Sequence, residues 1–152
     1  MSEATLELVQ AKQAELATLI EQLQRTATLQ QTVLALPEAH ITLQPGEHYA
    51  GAVLNEDGLI KHHLVLMAPR ASDLTWQAAT DWAARVGGEL PTRQEQALLF
   101  ANCKPHLEER WHWSAETNGA SYAWHCYFVS GCQRFGSRSF EGSAVAVRRL
   151  NA

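Results

Sequence analysis

No run of lysine or arginine stands out anywhere in the 152 residues, and the formal net charge is -4. A chain of this balance has no electrostatic footprint for a phosphate backbone or an acidic membrane surface, so nucleic acid is not an expected partner. Long apolar runs are missing too. None approaches the ~18 residues of a membrane span, and the opening MSEATLELVQ lacks the basic and apolar regions of a secretory signal peptide. The expectation is a protein made and kept soluble in a cytoplasm, with no membrane insertion. Cysteine is scarce: Cys103, Cys126 and Cys132 are an odd set with no CxxC spacing. That argues against both a disulfide framework and a structural zinc site, and leaves free thiols. Glycine and proline are absent from residues 1–36, so nothing breaks a helix there.

What that uninterrupted segment contains is a heptad seam. Leu6, Val9, Gln13, Leu16, Ile20, Leu23, Ala27, Gln30 and Leu34 recur at alternating steps of three and four, on a surface otherwise rich in Gln, Glu and Thr. The pattern predicts a coiled-coil oligomerisation helix over residues 1–36, joining two or three copies through residues 6–34. Gln13 and Gln30 are polar layers suited to fixing register. The other reading of the same stripe is an amphipathic helix folded back on its own domain.

After Pro37 the period changes. Residues 40–43, 49–54 and 59–67 read as strands, separated by Pro45-Gly46 and Asn55-Glu56-Asp57-Gly58 and closed near Pro69. Two helices follow. One covers about Thr75 to Val86 and ends at Gly87-Gly88, and the other opens on the capping box Thr92 to Glu95 and is stopped by Pro105. Residues 111–150 return to strand, with a hairpin turning at Val129-Ser130-Gly131. At 46% hydrophobic content, one core is expected. The class is α+β, with the domain occupying residues 37–152.

Ordered motifs in this domain carry a resemblance. They are W-x-x-A (Trp76 to Ala79), G-G-x-L-P-T-x-x-E (Gly87 to Glu95), W-S (Trp113-Ser114), A-W-x-x-x-F-x-x-G (Ala123 to Gly131) and V-R-R (Val147 to Arg149). Residues 74–150 thereby resemble the C-terminal domain of collagen-like bacterial adhesins, the Lcl-type family. That family is similar in turn to the C-type lectin-like fold of phage tail-fibre tips and of the variable proteins of diversity-generating retroelements. The chain has E-L-P-T at Glu89 to Thr92 where the family has W-R-L-P-T, and H-W-S-A at His112 to Ala115 where it has Y-W-S-S; both departures fall on scaffold positions. The resemblance implies two helices, an antiparallel sheet and hairpins, and a function that is binding rather than chemistry, displayed on the last hairpin.

Alternation sorts that hairpin. Trp124, Cys126 and Phe128 share one face, the inward one by the family's pattern, which turns His125, Tyr127 and Val129 outward. Beyond the turn the register is open by one residue, so Arg134, Phe135, Ser137, Arg138 and Phe140 join the expected ligand-binding set as a group. Tyr, His, Arg and Phe make compact anchors of large contact area and low conformational entropy. The competing reading packs the aromatic hairpin against the helices. Trp76, Trp113, Trp124 and Phe128 are expected to be largely buried.

Rival chemistries are weaker. The seven histidines show no ligand spacing: His62 and His63 point to opposite faces of one strand, and His112 and His125 have no carboxylate or thiol at the required interval, so no metal is expected. Calcium-dependent sugar binding needs paired clusters, and Glu116-Thr117-Asn118 is a single faint echo of one. Cys126 beside His125 is not a nucleophile and its base, since adjacent strand residues point apart. No cofactor is expected. The function implied is a non-enzymatic, phage- or prophage-encoded receptor-binding module in a virion tail, engaging a host surface receptor that is protein or glycan. The alternative is an intracellular phage-encoded inhibitor or adaptor that binds a host protein, and an uncharacterised hydrolase ranks third.

Overall fold

The computed structural model describes residues 3–30 and 33–152. They form two compact units, Met1–Glu38 and Ala39–Ala152. In the first, the helix α1 (Glu3–Gln30) carries the expected seam, and Leu6, Val9, Leu16, Ile20 and Leu23 are all exposed along it. The helix does not reach residue 36: residues 33–36 are non-helical, so Leu34 is outside it and the helical part of the seam ends earlier than the periodicity suggests. Among the described residues no helix is long and apolar enough to cross a membrane.

The second unit is α+β. A six-stranded mixed sheet has the order β1-β2-β6-β3-β4-β5, built from β1 (His48–Leu54), β2 (Ile60–Leu74), β3 (Trp111–Asn118), β4 (Tyr122–Tyr127), β5 (Cys132–Ser137) and β6 (Gly142–Asn151). All pairings are antiparallel except β3 with β6, which run parallel and touch through His112 and Ser143, so the sheet departs from the purely antiparallel expectation. The two helices arise where the sequence signals them. Thr75 caps α2 (Trp76–Arg85) by accepting from the Ala78 N–H, and Thr92 and Glu95 form the reciprocal capping box of α3 (Arg93–Cys103).

Two strand boundaries differ from the periodic reading. Residues 40–43 form no strand; that segment is held instead by Arg148, which donates to the Thr42 carbonyl at 2.7 Å and forms two hydrogen bonds with the Glu47 carboxylate. Strand β2 continues through Pro69 to Leu74 because its pairing with β6 skips from Leu66 to Arg70. The proline thus sits in a bulge, where its missing N–H costs no ladder bond. Arg70 folds back over this bulge and donates to the carbonyls of Met67, Ala68 and Pro69.

Apolar side chains fill two clusters. Leu64, Leu66, Leu99, Cys126, Phe128, Val145 and Val147 pack between the sheet and α3, and Ala79, Ala83, Leu90, Trp113, Ala123 and Ala144 pack beneath α2. Small residues in the second cluster bring the α2 backbone close to the sheet. One charged network bridges them: Glu95, fully buried, accepts from Arg149 through both carboxylate oxygens at 2.7 Å and meets His62 Nε2 at 2.8 Å. Arg149 also pairs with Glu89.

Candidate binding surface on the last hairpin

The β4–β5 hairpin turns over residues 128–131, closed by the Gly131 N–H donating to the Tyr127 carbonyl at 2.7 Å. Gly131 has φ 78°, and a Cβ there would stand 2.8 Å from the Phe100 ring. The turn therefore needs glycine twice over, for its left-handed backbone and for the approach of α3. Beyond it the register is fixed: Tyr122 pairs with Ser137, Trp124 with Phe135, His125 with Arg134 and Tyr127 with Cys132. The eight expected ligand residues consequently divide, with Phe135 and Ser137 on the face of Trp124 and Arg134 on the face of His125 and Tyr127.

On the Trp124 face, coverage by α3 runs out along the strand. Phe128 and Cys126 are fully buried against Leu99, whereas Trp124 is only half-buried, which corrects its assignment to the core. Its indole lies under the Arg93 guanidinium, 3.5 Å from ring centre, and meets the Phe135 ring edge-on at 5.5 Å. Phe135 in turn meets Tyr122 at 5.8 Å. Gln133 fixes Arg93 by accepting from its Nε at 3.2 Å and donating to its carbonyl at 2.6 Å. The product is a ladder of Tyr122, Phe135 and Trp124 with a guanidinium at its end, in which Tyr122 and Phe135 are about half exposed (47% and 52%). Tyr122 and Arg93 lie outside the expected ligand set. Tyr122 shares the parity of Trp124 and was accessible to the same argument, but Arg93 comes from α3 and has no local signal linking it to the hairpin.

The opposite face is less open than expected. His125 is half-buried among Trp111, Trp113 and Phe140, with ring centroids 4.2, 5.5 and 6.0 Å away. Its Nδ1 is buried without a protein partner, and a Cβ on Gly136 would fall 2.6 Å from its Nε2. Desolvation, with the nearby Arg134 charge, holds its pKa below the ordinary histidine value. It is a neutral ring filling an aromatic cluster, not a water-facing anchor. Tyr127 stacks on Trp111 at 4.9 Å. Arg138 is also committed: its guanidinium lies over Trp76 at 4.7 Å and donates to the carbonyls of Tyr122 and Gly119. Ser137 bonds Ser139, and Val129 projects from the turn.

The nucleophile question has a geometric answer. The residue directly across from Cys126 is His112, a pairing that the linear spacing hid. Burial lowers the His112 pKa to about 4, and burial, together with Cys132, raises that of Cys126 to about 11. Neither group is poised to form a thiolate–imidazolium pair. Among the described residues no three His, Cys, Asp or Glu side chains converge as a metal-holding group. No protein-family model matches the chain, and no curated protein matches it.

Proposed function

We propose that this chain is a non-enzymatic receptor-binding protein, carrying a C-type lectin-like domain of the Lcl type that presents its last hairpin to a ligand. The carrying observation is the Tyr122–Phe135–Trp124 ladder with Arg93 at its end. Aromatic rings held edge to face on a rigid hairpin, beside an arginine already oriented by Gln133, have little freedom to lose on binding. Phage or prophage origin, as a tail-tip module that engages a host surface receptor, is the setting the motif resemblance favours. In that setting α1 joins copies through Leu6, Val9, Leu16, Ile20 and Leu23, whose exposure along one helix stripe supports the reading.

The test is adsorption. Purified full-length protein should bind intact host cells and compete with the phage for them, while a Tyr122→Ala/Phe135→Ala variant should lose binding by about thirtyfold or more with an unchanged unfolding midpoint. A stable variant that still binds fully places the receptor site elsewhere. Binding to a cytosolic host protein but not to cells replaces the tail-tip reading with that of an intracellular inhibitor.

A further inference from the structure

Behind the ladder, on the Tyr127 face, lies a separate cleft of about 300 Å³ whose walls include Asp73, Glu109, Trp111, Tyr127, Phe140 and Glu141. Its aromatic wall is ordered, since the rings of Trp111 and Tyr127 stack at 4.9 Å with 14° between planes. Its rim is acidic. Glu109 and Glu141 are exposed and have no ion-pair partner among the described residues, while Asp73 has only the Ser72 hydroxyl at 3.5 Å. The one cation in the lining, Arg110, is directed to the Glu108 carboxylate at 3.6 Å, and Glu108 does not line the cleft.

Among the described residues two other half-covered indoles carry a guanidinium, while the half-covered Trp82 has none. Trp124 is capped by Arg93 and Trp76 by Arg138. Among the described residues no cation lies over the Trp111–Tyr127 stack, although three carboxylates, Asp73, Glu109 and Glu141, line the cleft that it walls. Aromatic rings and three carboxylates around one opening favour a positive charge, chiefly by Coulomb attraction to the carboxylates, with the ring quadrupoles adding to it. They repel phosphate and carboxylate ligands for the same reason. The neighbouring His125 adds no opposing charge while it stays neutral.

We propose that this cleft binds an organic cation, the ammonium or guanidinium end of a lysine or arginine side chain on a partner protein. The inference rests on the reading of the domain as a binding module and adds a ligand chemistry at a site distinct from the ladder. A single extended cationic side chain is of the right scale for the volume. Recognition would join stacking on Trp111 and Tyr127 to charge pairing with Glu109 and Glu141.

The experiment titrates full-length protein, at low and at physiological salt, with short blocked peptides bearing one lysine or one arginine. Controls carry norleucine or citrulline in its place, and tetramethylammonium and a neutral hexose are titrated separately. Tryptophan fluorescence and calorimetry read the binding. The cationic peptides should bind, more weakly at higher salt, and the controls should not. Glu109→Gln/Glu141→Gln, which alters exposed positions only, should weaken the cationic peptides about tenfold or more without moving the unfolding midpoint. No cationic binding up to about 10 mM, equal binding of the citrulline peptide, or full binding by the double variant would overturn the proposal. Preference for the hexose overturns it as well, and tetramethylammonium binding tighter than either peptide overturns the protein source. The ladder variant Tyr122→Ala/Phe135→Ala should keep peptide binding. If wild-type protein adsorbs to cells yet binds no cation, the cleft inference fails and the receptor reading stands.

Discussion

Glu95 is asked to do three things at once. Its carboxylate receives the Thr92 N–H in the capping box, two donors from Arg149 and a contact from His62, all inside the core. Removing it takes from the partly buried Arg149 guanidinium its one buried carboxylate and leaves it only the exposed Glu89, so Glu95→Ala should cost about 3 kcal/mol in urea unfolding. Replacing both Glu95 and Arg149 with apolar residues should cost less than the sum of the single changes, and additive losses would show that the pair is not coupled. His112 makes a different prediction. Burial lowers its pKa from 6.5 to about 4, so the unfolded chain binds the proton first as pH falls. Its contribution is fully present above about pH 6.5 and is lost progressively down to about pH 4, a change of roughly 3 kcal/mol. Thermal unfolding of His112→Gln between pH 6.5 and 5, where few carboxylates titrate, should be flatter than that of the parent; parallel curves would show that His112 is not the responsible group.

At the scale of elements, the hairpin separates what alternation can tell from what it cannot. Parity places Tyr122, Trp124, Cys126 and Phe128 on one face, but parity says nothing about how far a helix extends over that face. Because α3 begins at Arg93, cover is complete at Phe128 and partial at Trp124. Trp113→Ala should therefore cost about 3–5 kcal/mol, since the indole is fully buried and its N–H donates to the Leu74 carbonyl. Trp124→Ala should cost distinctly less and act mainly on binding; equal losses would mean that the two rings are equally part of the core. The turn is stricter than either. Gly131→Ala combines a left-handed backbone with a methyl pressed into the Phe100 ring, and should cost at least about 1 kcal/mol. The helix caps were legible because capping is local, and the bulge at Pro69 was not, because it depends on how β6 pairs beside it.

For the whole molecule, the α+β class followed from a change of period near Pro37, a signal that survives without tertiary information. The sheet order did not, since β6 inserts between β2 and β3 from the far end of the sequence. The candidate site was half legible for the same reason: the hairpin residues are adjacent in sequence, whereas Arg93 and the rim carboxylates Asp73 and Glu109 arrive from other elements. The remaining question of scale is assembly. The stripe on α1 exposes Leu6, Val9, Leu16, Ile20 and Leu23, and most of the stability of an amphipathic helix in a protein comes from packing such a stripe against a partner. A short seam interrupted by Gln13 gives a modest affinity, so the oligomer should be concentration dependent. Light scattering on full-length protein at concentrations on the order of tens of micromolar should report a dimer or trimer. Deleting residues 1–36 should yield a monomer with the same unfolding midpoint. A monomeric parent would mean that α1 does not self-associate, while a truncated protein that unfolds would show that the helix supports its own domain instead of joining copies.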